Sequence, residues 1–284
     1  MSDNIVDRLV QGSIDMHVHS GPDAVRQRHS DANEVVSEAK KAGMKAVVLK
    51  SHDYMTTPLA HVISTFIPGI KVFGGVCLNL DVGGLNVYAV EMAAKLGSRV
   101  IWMPTFTSMN DMSKRDPPEK GITILEENGD LKPVVPEILK VIKEYDMVLA
   151  SGHLSTNEIY VLIDEALDMG IEKIAITHPL TARFGPNMAI ADQVKIAKKG
   201  AYMEHCFVAT MPRHDKLDPK IMRDAIYAAG VENCVLATDF GQVHNPSPLE
   251  GLKMMISTLM DLGITEDEFT TMLKTNPSKL LNLD

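Results

Sequence analysis

Eight short apolar runs constrain this chain more than any other feature. Each ends on polar or glycine residues and is followed by an amphipathic stretch. The runs are residues 13–19, 45–51, 70–78, 99–105, 146–153, 173–178, 201–207 and 233–240. Strands that alternate with helical patterns build βαβ units and a parallel sheet. The runs are apolar almost throughout, which suits strands covered on both faces. Helix signals fall between them. Ser155 to Glu158 (STNE) reads as a capping box. Asp218-Pro219 opens another helix with proline in its first turn. Gly43, Gly97, Gly170, Gly200 and Gly230 stand between a helix and the next strand, where a left-handed residue ends the helix. Eight such units in 284 residues predict an α/β fold, a closed (β/α)8 TIM barrel taken as one domain over 1–284. The alternative is an open doubly wound sheet. GGVCLN and DVGGLN lack the spacing and placement of its phosphate fingerprint. The longest irregular segment, about 106–132, follows the fourth run. Its Asn128-Gly129 reads as a hairpin turn. A loop of this length is more often functional than accidental.

Composition bounds the partners. Lys and Arg number 28 and Asp and Glu 37, a net charge of −9, and aromatics are 5%. With no basic stripe, nucleic acid is not an expected partner. No apolar run approaches the ~18–20 residues of a membrane span. The opening MSDNIVDRLVQGS lacks the features of a secretory leader. Three scattered cysteines, Cys77, Cys206 and Cys234, fit a reducing cytoplasm rather than a disulfide framework.

A barrel of this type carries its chemistry at the C-terminal ends of the strands. Histidines and carboxylates cluster there. The first run ends Asp15-Met16-His17-Val18-His19, and a two-residue period points His17 and His19 to one side. The second ends Lys50-Ser51-His52, again with two polar side chains on one side. The fifth ends at His153 and the sixth at His178. The seventh carries Glu204-His205, and the eighth ends Thr238-Asp239. Taken singly, each has a bland reading. A strand-end histidine is usually a satisfied polar residue, and an Asp after a strand is often a helix cap. Jointly they read as a metal site, because neutral imidazole and carboxylate are the preferred ligands of Zn²⁺ and similar divalent ions.

His-x-His on the first run, His on the fifth, His on the sixth and Asp on the eighth resemble the amidohydrolase superfamily of metal-dependent hydrolases. His17, His19, His153, His178 and Asp239 match that pattern position by position. The tail Asn276-Pro277-Ser278-Lys279-Leu280-Leu281-Asn282-Leu283 is similar to an ending common in the superfamily. The resemblance spans nearly the whole chain and is closest to small single-domain members. It implies one or two divalent ions per chain, Zn first, with Mn, Fe, Ni or Co as alternatives. It also implies self-association. One departure stands out. Two-metal members carry a bridging carboxylated Lys or a Glu at the end of the fourth strand, and here that run ends Trp102-Met103-Pro104-Thr105. The site therefore holds one metal, or Lys50 supplies a carbamate bridge, or Glu204 contributes. The bland reading of Lys50 is a cationic anchor for an anionic substrate group.

A metal on His17, His19 and one or both of His153 and His178 would lower the pKa of a bound water to ~7. The hydroxide would attack a carbonyl of an amide, lactone or ester in a small anionic substrate. Asp239, in the family resemblance both metal contact and general base, would move the proton to the leaving group. His178 or His205 is the candidate electrophilic helper, and Asp15 would orient His17. Lys50, His52 and Arg183 are the expected substrate contacts, with Arg183 preferred over Arg26, Arg28 and Arg213. Three rival readings stand beside this one. A phosphoesterase of the polymerase and histidinol phosphatase type shares an opening like Asp15 to Ser20, but it expects seven strands and a Glu on the third. A mononuclear decarboxylase or C–C hydrolase of the same superfamily would use the same ligands. A non-catalytic binding barrel is the least favoured.

Overall fold

The computed structural model describes residues 5–283. Its strand segments are β1 (Ile14–His19), β2 (Ala46–Lys50), β3 (Lys71–Phe73), β4 (Gly75–Cys77), β5 (Val100–Trp102), β6 (Val148–Ala150), β7 (Ile174–Thr177), β8 (Tyr202–Cys206) and β9 (Cys234–Ala237). Every ladder between them is parallel, in the order β1-β2-β3 and β4-β5-β6-β7-β8-β9. β3 and β4 are two halves of the third apolar run, separated at Gly74. A Cβ at Gly74 would lie 2.5 Å from the backbone nitrogen of Thr57, so the start of the helix Thr57–Phe66 passes too close for a side chain. The eight apolar runs thus form eight barrel strands.

The ring closes between β9 and β1. The backbone N–H of Asp239 donates to His17 O at 2.9 Å, and that of His19 donates to Phe240 O at 2.8 Å. Buried Asp15 reinforces the seam by accepting from Thr238 N at 3.1 Å and from its hydroxyl at 2.5 Å. The molecule is therefore a (β/α)8 barrel, as the alternation of runs predicts.

β1 contains a bulge. Its register against β2 moves from Asp15↔Val47 to Val18↔Leu49, three residues against two. An extra residue on one strand re-aims the side chains beyond it. Ile14 and Met16 pack in the barrel interior with Val48, Trp102, Val148 and Val235. Strict alternation after Met16 would turn His17 away from them, but the bulge brings His17 to the inner face, within 6.2 Å of Trp102. Val18 joins the outer layer, where Val47, Leu49, Ile101, Leu149 and Leu236 pack against helix residues such as Val36, Ile138 and Leu162.

The chain's end closes the bottom of the barrel. The helix Asn276–Leu281 sends Leu280 and Leu281 into the interior cluster. The Asn276 side-chain amide donates to Val231 O at 3.1 Å and Cys234 O at 2.7 Å, beside the start of β9. The Asn-Pro signature of the tail thus satisfies two carbonyls that a hydrophobic plug alone would leave unpaired. The 106–132 segment holds the short helix Met109–Met112 and one antiparallel bridge, Leu125↔Leu131, around Asn128-Gly129. Among the described residues, no helix is long and apolar enough to cross a membrane.

The seam depends on Gly241. Its φ is +139°, and a Cβ there would lie 2.0 Å from His19 O. We expect Gly241→Ala to force β9 away from β1 and to cost at least about 1–3 kcal/mol of stability. Urea denaturation followed by circular dichroism checks this, and an unchanged midpoint would show that the seam tolerates the side chain.

Candidate metal centre

At the open end of the barrel, three ligand atoms converge from the two strands that close it. Asp239 Oδ1 lies 3.3 Å from His17 Nε2 and 3.1 Å from His19 Nε2. Ligands bound tetrahedrally at about 2.0–2.2 Å from one ion are about 3.3–3.6 Å apart. The separations found here suit such an ion. His17 is fully buried and His19 nearly so, while the Asp239 side chain is 13% exposed through the cavity. A second pair stands beside them. His153 Nε2 and His178 Nε2 face each other at 3.1 Å. His178 (φ +29°) and Asp239 (φ +53°) both hold left-handed backbones just past a strand. Gly152 precedes His153 at φ +61°, where a Cβ would meet Met103 O at 2.2 Å. Such turns aim side chains across the barrel mouth rather than along the strand.

Outer carboxylates orient the rings. Asp111 Oδ2 lies 2.5 Å from His153 Nδ1, and Asp111 Oδ1 accepts from Gly185 N at 3.0 Å. Glu204 Oε2 lies 3.4 Å from His17 Nδ1. A carboxylate on the far nitrogen fixes the tautomer and leaves Nε2 free for a metal. Among the described residues a second group of possible ligands, His17, Glu204 and Cys206, gathers on the opposite side of the His17 ring. There the Cys206 sulfur is 3.6 Å from Nδ1, and burial pushes its thiol well above the ordinary value, toward the protonated form. The group on the Nε2 side, with its two imidazoles and one carboxylate, is the one that opens to the cavity.

Four of the five clustered rings are held in the neutral form. Burial pushes His19, His52 and His178 well below the ordinary imidazole value, and lowers His153 despite Asp111. These rings are neutral at pH 7, the form that ligates metal. Burial alone would also lower His17, but the Asp239 and Glu204 carboxylates outweigh it, with Lys50 opposing, and its value is raised. Desolvation by itself would raise Asp239, yet His17 and His19 hold its carboxyl well below the usual range. The Lys50 ammonium lies 3.0 Å from His17 Nε2 and 5.3 Å from the centre of the Trp102 ring. Trp102, at the end of β5, is buried in the barrel interior.

The sequence matches one family model over residues 12–204, described as a family of unknown function (DUF6282). The chain belongs to this family. No curated protein matches it. Solved structures share its fold. An amidohydrolase from Pseudomonas aeruginosa aligns at 12% identity over 98% of each chain with a TM-score of 0.68. The probable dipeptidase PvdM from the same organism aligns at 10% identity over 97% of this chain and 96% of that one, with a TM-score of 0.67. A putative 2-pyrone-4,6-dicarboxylic acid hydrolase from Pseudomonas putida aligns at 15% identity over 95% and 97%, with a TM-score of 0.61. At these identities the likeness speaks to the fold, the same barrel end to end.

In this DUF6282 member the five residues of the resemblance, His17, His19, His153, His178 and Asp239, come together at one end of the barrel. Lys50 and His52 line the same cavity, and His52 is held there by Thr105 at 2.8 Å. Glu204 reaches the site only through the far nitrogen of His17. Asp15 accepts from the His17 backbone N–H at 3.2 Å and does not touch the ring. It acts on the strand, and burial pushes its carboxyl up to about 6. The structure does not bring His205 into the cluster. Since Glu204 points inward, its neighbour points outward, and His205 lines a separate small space with Leu180, Ala209 and Met222 that His178 also borders. Both its ring nitrogens are buried without a hydrogen bond, and burial lowers its value to about 4. Arg183 also lies apart. Its guanidinium donates to Arg213 O at 3.0 Å and packs over Phe184, outside the residues that line the cavity. The cations lining the cavity are Arg26, Arg28 and Lys50. Asn79, where the phosphoesterase reading needs a Glu, instead hydrogen-bonds His52 O and Thr105.

Sequence reasoning missed Asp111. It sits in the long 106–132 loop, in a short helix capped by Ser108. The length of that loop was its only signal. We expect Asp111→Asn to weaken metal binding by about 10–100-fold with little change in fold. Metal-buffered titration measures it; unaltered affinity would remove Asp111 from the site.

Proposed function

We propose that this DUF6282 member is a divalent-metal hydrolase that cleaves an amide, lactone or ester bond in a small anionic molecule. The observation that carries this reading is the convergence of His17, His19 and Asp239 at the mouth of the barrel. The names of structures that share the fold, amidohydrolase, dipeptidase and lactonase, agree with it.

His17, His19 and Asp239, with His153 and His178 alongside, would hold a divalent ion, which would supply an acidified water at neutral pH and a Lewis acid for the carbonyl oxygen. Zn²⁺ suits this nitrogen and oxygen set first. The remaining work falls to the protein. Asp239, the acidic side chain lining the cavity, takes the proton of the attacking water and returns it to the leaving group. His178, which lines the cavity, can stabilise charge on the reacting oxygen. Lys50 and His52 contact the substrate from β2 and its following loop. Phe106 and Phe184, packed edge to face at 5.0 Å, line the cavity and limit water around the bond being cleaved.

Protein purified without chelator should carry at least one divalent ion per chain by elemental analysis. Assayed on a panel of lactones, esters and N-acyl amides, it should lose activity on chelation and recover it when Zn²⁺ or Mn²⁺ is added back. Asp239→Asn should lower kcat by about 10²–10⁴-fold. A protein that neither retains nor responds to any divalent ion would overturn the reading. Phosphate-ester hydrolysis with no carbonyl hydrolysis would do the same.

A further inference from the structure

Arg26 and Arg28 line the metal cavity together, although they come from the loop after β1 and not from the loop that carries Arg183. The structure prepares them for a ligand. The loop is pinned at its base by Gly21 N to Ser30 O at 2.9 Å, and along one side by His29 N to Gly241 O at 2.9 Å. Asp23 organises its interior, accepting from Val25 N at 2.9 Å and Arg26 N at 2.6 Å. The same carboxylate grips one edge of Arg28, through Nε at 2.7 Å and Nη2 at 2.6 Å. Arg28 is held in place, with its side chain only 5% exposed. Arg26 is steadied by the Phe106 ring, 4.3 Å below its guanidinium, and by Asp53 at 3.6 Å.

A guanidinium is a planar fork, and Asp23 occupies only one edge of Arg28. Two arginines and Lys50 line the cavity against a single lining carboxylate, Asp239. A cavity so lined in a chain of net charge −9 is built for an anion. Asp23 and Asp53 each contact only part of their arginine, which leaves the rest of each fork for a planar carboxylate.

We propose that Arg28, with Arg26 beside it, binds a carboxylate at the non-reacting end of the substrate and so selects carboxylated substrates. This rests on the hydrolase reading for its reaction, but the binding stands on its own. Because the loop holding both arginines is tied to Gly241 just beyond Asp239, the carboxylate and the bond to be cleaved are placed from one rigid seam.

The test separates binding from turnover. Zn-loaded protein is titrated calorimetrically with succinate and with its neutral diamide. Succinate should bind one site per chain, at least about tenfold tighter than the diamide, the factor one charge-assisted hydrogen bond supplies. Arg28→Met should remove that preference while metal content stays at the parental level. Arg26→Met, at a more exposed position, should reduce it and serves if Arg28→Met does not fold. In the hydrolysis panel, each active substrate should outperform its partner lacking the carboxylate in kcat/KM. Equal binding of succinate and diamide would overturn the proposal, as would loss of the preference in Arg183→Met but not in Arg28→Met. Succinate binding that depends on Arg28, in a protein with no hydrolytic activity, would uphold it and overturn the hydrolase reading alone.

Discussion

Everything at the mouth of this barrel depends on two backbone hydrogen bonds, Asp239 N to His17 O and His19 N to Phe240 O. They join the first strand to the last and bring a carboxylate from near the end of the chain against two imidazoles from its beginning. Asp15 and Thr238 support the join from below, and Gly241 allows the close approach. Without closure, His17 and His19 remain neighbours along β1 but have no carboxylate between them. Closing the fold and assembling the site are one event here.

The same economy governs charge. Five imidazoles crowd a buried region that no set of charged rings could occupy, and burial keeps most of them neutral. The few carboxylates are distributed by role. Asp239 faces the cavity, whereas Glu204 and Asp111 stand behind the rings and hold their far nitrogens. Asp23 does for Arg28 what Asp111 does for His153: it fixes one edge of a side chain so that the other is presented.

Much of this is legible in the sequence because two periods carry it. Apolar runs alternating with amphipathic stretches predict the barrel, and strand ends predict where His17, His153, His178 and Asp239 meet. What stayed hidden depends on contacts no period encodes. Asp111 arrives from a loop whose path is set by packing. Arg28 rather than Arg183 reaches the cavity because the loop after β1 folds back over the seam. Gly74 splits the third strand because a helix start presses on it. His205 is a different case, since the inward aim of Glu204 already sends its neighbour outward by simple alternation, and that parity was there to be read.

The bulge in β1 divides that strand into two independently phased halves. Before it, Ile14 and Met16 belong to the hydrophobic plug; after it, His17 and His19 belong to the site. A continuous ladder would tie the packing of one half to the orientation of the other, so that any slip below would rotate the ligands above. With the phase reset between them, the interior can exchange one apolar residue for another while the ligands keep their aim. Stability and chemistry share a six-residue strand and remain free to drift apart.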